Sequence, residues 1–184
     1  MKGGLLLSLL AASLGAEALR IGDKVPEIRI DPQVFDVGKA PATVVVFTSI
    51  VCPIANDYLG RMNAMQSEFG PKGIQFAFVN ANANETAVQI EEHAKANKLE
   101  FQVHRDGNQR LADRLGAQFT PETFVFDRAG SLVYHGYIDD ARNEARVQVH
   151  GLRDGLNAVL SGKPIAAPET KAFGCTIKRA RRAS

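Results

Sequence analysis

Residues 43–47, Thr-Val-Val-Val-Phe, are β-branched and apolar with scarcely a break, the pattern of a strand buried on both faces of a helix-covered sheet. The period then changes. After Cys52-Pro53 the apolar residues Ile54, Tyr58, Met62, Met65 and Phe69 recur at spacings of 4, 4, 3 and 4, which predicts one helix with a single inward stripe. Gly70-Pro71-Lys72-Gly73 stops that helix, and residues 74–79 read as the next strand. A β-α-β unit follows, with a right-handed crossover expected. Upstream, residues 25–30 are predicted as an edge strand, in keeping with Pro26 inside them.

The second half keeps the alternation and adds to it. Asn84-Glu85-Thr86 opens a helix whose inward residues are predicted to be Ala87, Ile90 and Ala94; residues 101–103 form a short strand and 108–115 a two-turn helix. Residues 123–126 and 132–134 then flank Asp127-Arg128-Ala129-Gly130, a hairpin signal and so an antiparallel pair. Val149, Leu152, Leu156 and Val159 mark a closing helix, stopped by Gly162-Lys163-Pro164. Parallel strands, a hairpin and a helix folded back predict a mixed central sheet in a three-layer α/β/α sandwich.

One stretch stands outside this pattern. Residues 5–14 are apolar and uncharged, follow Lys2 and precede Ala16-Glu17-Ala18, which reads as a signal peptide cleaved after Ala18. The stretch is half the about 20 residues that a membrane span requires. We therefore expect residues 1–18 as leader, 19–161 as one domain and 162–184 as a tail, in a secreted or periplasmic protein without stable membrane insertion. At 45% hydrophobic and 23% charged, the 184-residue chain has the composition of one packed domain and not of a disordered one. From Glu169 onward five basic residues face one acid, a net +4 within a total of +2; such a short run is expected to be a solvated, frayed end.

A buried strand ending in Cys52-Pro53 at a helix N-terminus, followed by Thr120-Pro121-Glu122 directly before the hairpin, resembles the thioredoxin fold over residues 25–160. Residues 81–115 exceed a minimal thioredoxin and resemble the helical insertion of redoxins, the group of alkyl hydroperoxide reductase and thiol-specific antioxidant proteins and of bacterial thiol-disulfide interchange proteins. Cys-Pro-Ile-Ala-Asn from Cys52 and Gly-Cys-Thr-Ile-Lys around Cys175 also look like a subgroup of secreted bacterial redoxins. The resemblance implies a cis bond at Thr120-Pro121 and a backbone there that meets an extended substrate, with Pro53, Thr120 and Pro121 as substrate-binding residues. Implied partners are protein or small-molecule thiols and disulfides, with peroxide as a further candidate; no cofactor and no nucleic acid is implied.

The chemistry rests on two cysteines, too few for a multi-disulfide scaffold, a four-cysteine zinc site or an iron-sulfur cluster. A thiolate is the attacking species, and the first-turn amides of a helix beginning at Pro53 favour it at Cys52, which we expect on an exposed rim. Pro53 suits that turn, since its missing N–H costs nothing there. Cys175 is the one intramolecular partner available, and three roles stay open for it: a resolving thiol on a mobile arm, a static staple or an intersubunit thiol.

Departures from the family pattern are equally informative. Ala55 stands where a dithiol thioredoxin has its second cysteine, Val46 where it has a buried acid, and Thr48 and Val51 replace its tryptophans. Of the peroxidatic signature only Ser49, three residues before Cys52, is present, since Val45 replaces the proline; Arg105 and Arg128 are candidates for the activating arginine. His135, with Cys52, does not meet the two-cysteine requirement of the copper-carrying relatives, and His93, His104 and His150 lack ligand spacing, so no metal is expected. Residues 80–84 read as a polar loop. Thiol-disulfide exchange is the leading reading, with a thiol peroxidase and a non-catalytic peptide-binding module as alternatives.

Overall fold

The computed structural model describes residues 18–181, so the expected leader lies almost wholly outside the described residues. Five strands form the central sheet: β3 (Ala42–Thr48), β4 (Gln75–Asn80), β5 (Val103–Arg105), β7 (Glu122–Asp127) and β8 (Leu132–Gly136), in the order β5-β4-β3-β7-β8. β3 pairs parallel with β4, as the β-α-β signal requires, and β7 pairs antiparallel with β8, as the hairpin signal requires; β3 also pairs antiparallel with β7. Every residue of β3 is buried. Because successive side chains alternate faces, Val45 and Phe47 join one apolar cluster while Val44 and Val46 join the other.

Helices cover both faces. On one lie α4 (Arg110–Leu115) and the hairpin of β1 (Glu27–Ile30) and β2 (Gln33–Asp36), through Ile28, Ile30, Leu111 and Leu115. On the other lie α2 (Leu59–Phe69) and α5 (Gly151–Leu160), through Met62, Met65, Leu152 and Leu156. The fold is the expected α/β class with a mixed sheet, and the added material between β4 and β7 is α3 (Ala87–Ala96), β5, α4 and β6 (Phe119–Thr120). Thr86 caps α3 in a full capping box with Gln89.

Several expectations are corrected. β1 is not an edge of the main sheet; the chain turns back at Asp31-Pro32 and β1 pairs with β2, whose mostly exposed residues carry no apolar alternation to announce it. The predicted single helix over 54–69 is two: α1 (Pro53–Asp57) ends at Tyr58, where φ is −91° and ψ −5°. The Tyr58 N–H reaches back to Ala55 O, a tightened i−3 bond, and its hydroxyl donates to Asp139 Oδ1 at 2.8 Å, so tertiary anchoring overrides the helical period. The third parallel strand lies at 103–105 and not 101–103, because Phe101 instead stacks its ring on Phe78. Val149 precedes the closing helix and is exposed, and Ala87 faces outward.

The largest correction concerns the tail, which from Pro168 to Ala180 is docked rather than frayed. Pro168 O accepts from His135 N and Thr170 N donates to His135 O along β8. Beyond it, β9 (Cys175–Thr176) pairs antiparallel with β6. Arg179 reaches Asp113 Oδ1 at 3.0 Å, and Ala180 N donates to Gln109 Oε1 at 2.9 Å. The basic residues here accompany backbone pairing that no charge count reveals.

Candidate functional site

Parallel strands β3 and β4 both end at one pole of the sheet, with Thr48 in register with Asn80. Cys52 follows there as the N-cap of α1, with extended φ and ψ of −82° and 113°, and Pro53 opens the helix. Ala55 N donates to Cys52 Sγ at 3.3 Å, the helix-terminal amide contact that lowers the energy of a thiolate. Thr120 O sits 3.2 Å from the same sulfur, an acceptor for a thiol proton and repulsive toward a thiolate. The Thr120-Pro121 bond is cis. Thr120 is thus brought against the Cys52 sulfur, while Pro53 and Pro121 are the chain neighbours of these two residues.

Cys175 completes the arrangement. β9 lies beside Thr120, the two cysteines form a disulfide-type pair, and their Cα atoms are 5.9 Å apart. Cys52 is 1% exposed, against the expectation of a solvent-open rim, because the docked tail covers it. Thr120 Oγ1 also donates to Cys175 O at 3.4 Å.

Sequence reasoning missed the group that shapes the nucleophile loop. Glu85, 1% exposed, accepts from Ser49 Oγ at 2.6 Å, Ile50 N at 2.8 Å and Asn80 Nδ2 at 2.6 Å. Ser49 Oγ in turn accepts from Cys52 N at 3.2 Å. A carboxylate, which only accepts, suits three donors. The 80–84 run is the polar loop expected at the end of β4, and its asparagines turn inward: Asn80 and Asn82 are buried, Asn80 Oδ1 accepts from Asn82 N, and Asn82 Oδ1 accepts from Lys178 N in the tail.

Of the candidate activating arginines, Arg128 follows Asp127, which pairs with Ala42 at the far end of β3, about 20 Å from Thr48 at about 3.3 Å per residue. Arg105 lies at the correct pole but two strands away from β3, and its Nε donates to Glu85 O at 3.1 Å. His135 stacks on Phe124 and puts Nε2 2.8 Å from Glu122 Oε1. Glu122, also buried, holds Gln118 N and Phe119 N through Oε2 and so stiffens the turn that carries Thr120-Pro121. Among the described residues no three histidine, cysteine or acidic side chains are grouped as metal ligands, and no helix is long and apolar enough to cross a membrane.

Two histidines give this pole a pH dependence. Asn56 Nδ2 donates to Ile50 O, leaving its Oδ1 to accept from His93 Nε2 at 3.0 Å; His104 meets Phe35 edge-on. Burial holds both imidazoles below their ordinary pKa of about 6.5, with Glu85 partly opposing the effect at His93. Below that value the unfolded chain takes up protons that the folded chain resists, so stability is full above it and falls as pH drops through the lowered folded values. We expect the urea midpoint to decline between pH 7 and 5, and His93→Gln with His104→Gln to flatten that decline; an unchanged slope in the double variant contradicts the assignment.

No curated protein matches the chain. An uncharacterized conserved protein from Geobacillus kaustophilus is similar in structure, with 27% identity, TM-score 0.79, and coverage of 89% of this chain and 94% of that one. A hypothetical protein from Sinorhizobium meliloti 1021 is similar at 27% identity and TM-score 0.77, covering 89% and 97%. A thiol:disulfide interchange protein of the thioredoxin family from Chlorobium tepidum TLS shares the fold at 18% identity and TM-score 0.57, covering 78% and 99%. The AhpC/TSA family matches residues 21–135, from before β1 into β8, and the chain belongs to this family of thiol-dependent oxidoreductases.

Proposed function

We propose that the protein is a secreted or periplasmic thiol-disulfide oxidoreductase in which Cys52 is the nucleophile and Cys175 the resolving thiol. The observation that carries this reading is the juxtaposition of the two sulfurs at the N-terminus of α1 beside cis Thr120-Pro121. In the reduced protein the Cys52 thiolate attacks one sulfur of a substrate disulfide and expels the other as a thiolate. Cys175, as thiolate, then attacks Cys52 Sγ in the mixed disulfide, releasing the second substrate thiolate and closing the Cys52–Cys175 bond. Two electrons pass from protein to substrate. An external dithiol returns them, and the sequence runs in reverse for a protein that oxidises its partner.

Pro53, Thr120 and Pro121 serve as the substrate-facing surface in this proposal. The Ser49 arrangement supports exchange over peroxide reduction, because its proton is directed to Glu85 and its lone pair to Cys52 N, so the Ser49 hydroxyl is not aimed at the sulfur. The test uses the reduced full-length chain with oxidised glutathione and intact-protein mass. Wild type should form the internal disulfide, Cys175→Ser should accumulate a glutathione adduct on Cys52, and Cys52→Ser should fall to the background of a free thiol. Equal exchange rates in wild type and Cys52→Ser would overturn the proposal.

A further inference from the structure

The tail that covers Cys52 is seated like a ligand. Its backbone is hydrogen-bonded on both flanks: β9 pairs with Phe119 and Thr120 and Ile177 N donates to Gln118 O at 2.8 Å, while on the other side Lys178 N meets Asn82 Oδ1 and Lys178 O accepts from Ala83 N, each at 2.9 Å. Side chains alternate along it as in a strand. Cys175 faces Cys52, Thr176 is exposed, Ile177 is buried, and Lys178 is exposed. Ile177 joins the apolar cluster containing Ala81, Leu111, Leu115 and Ala117.

The position before Cys175 is equally constrained. Gly174 has φ of +152°, and a Cβ there would collide with Thr120 O and press on the Thr120-Pro121 bond. The site therefore distinguishes three successive features: no side chain before the cysteine, freedom directly after it, and an aliphatic side chain two residues on.

We propose that this groove selects its protein substrates by the residues flanking their reactive cysteine, taking an extended Gly-Cys-x-aliphatic segment of which residues 174–177 are the resident copy. The proposal rests on the exchange reading above and adds the substrate class to it. A partner segment enters by strand exchange, replacing β9 against Phe119 and Thr120 and filling the pocket that Ile177 leaves. Its cysteine, held in a disulfide, is then attacked by the Cys52 thiolate; the Cys52–partner disulfide forms, the partner's original bond breaks, and the departing half leaves as a thiolate with the electron pair. Reduction of Cys52–Cys175 must come first, since the internal bond tethers the competitor.

The test uses reduced full-length Cys175→Ser and the synthetic peptide Ala-Phe-Gly-Cys-Thr-Ile-Lys, its cysteine carried as a mixed disulfide with 5-thio-2-nitrobenzoate, whose coloured thiolate is the leaving group. Two control peptides change the isoleucine to serine and the glycine to valine. We expect the parent to react about tenfold faster than either control at limiting concentration, the scale on which an apolar pocket discriminates. Weakening the resident copy should raise the parent rate further, and two independent changes serve here: Ile177→Ser, which empties the pocket, and Gly174→Ala, which leaves the pocket intact but drives the tail from Thr120. Equal rates for all three peptides would overturn the groove specificity while leaving Cys52 as nucleophile. Release no faster than in the cysteine-free Cys52→Ser, Cys175→Ser chain would overturn the exchange reading itself.

Discussion

Glu85→Ala is expected to destabilise the protein by about 3–5 kcal/mol, since each buried polar group left unpaired costs about 1–3 kcal/mol. The carboxylate receives Ser49 Oγ, Ile50 N and Asn80 Nδ2, and none of the three has an equivalent acceptor among the described residues. Asn80 cannot answer by turning its amide, because its Oδ1 already accepts from Asn82 N at 3.0 Å. Glu85→Gln should cost less. Its oxygen can take the Ile50 and Asn80 donors if its amide nitrogen faces Ser49 Oγ, whose second lone pair is free to accept alongside Cys52 N. Urea denaturation of oxidised and reduced protein measures both variants. A loss below about 1 kcal/mol for the alanine variant would mean that water replaces the carboxylate without penalty. The nucleophile loop should register the change as well, through a lower alkylation rate at Cys52 in the Cys175→Ser background.

Glu85 also shows where reading the chain stops. An acid directly before Thr86, the N-cap of α3, has the signature of a solvated helix start, and no residue nearby marks it as buried. Its burial depends on Ser49, 36 positions earlier, and Asn80 arriving at the same pole, which follows from the register of β3 with β4. By contrast, β3, β4, α2 and the β7–β8 hairpin were legible because each carries its own period or turn. Cys52-Pro53 and Thr120-Pro121 were legible as a pair because both lie at ends of such elements. The tail was not. The bonded stretch from Cys175 to Ala180 is too short for its alternation to stand out, its partners Phe119, Thr120, Asn82 and Gln109 are distant in sequence, and the basic residues of the tail suggested solvent instead. β2 failed for a similar reason, since its side chains are mostly exposed and its pairing with β1 depends on the turn at Asp31-Pro32.

The second large effect is expected at Asp139, far from either cysteine in sequence. Its side chain, 4% exposed, receives Arg61 Nη1 on both oxygens, at 2.6 and 2.8 Å, and the Tyr58 hydroxyl at 2.8 Å. Arg61, 10% exposed, stacks over the Tyr58 ring at 3.8 Å and also donates to Ala141 O and Arg142 O, tying the 139–142 segment to the break between α1 and α2. Removing one partner of such a pair strands the other charge, so Asp139→Ala should cost about 3–5 kcal/mol. Replacing both, as Arg61→Met with Asp139→Leu, should recover much of that loss because neither charge then remains buried. Tyr58 adds an alkaline signature. Burial first, then the hydrogen bond to Asp139, raises its phenol above the ordinary value of about 10, so its stabilising contribution is present below that pH and is lost as pH rises through the folded value. α1 carries Cys52 at its first turn and Tyr58 at its last, so Asp139→Ala should also slow exchange at Cys52 under conditions where the variant is still fully folded. Full activity alongside the stability loss would show that Tyr58 holds the fold without holding the nucleophile.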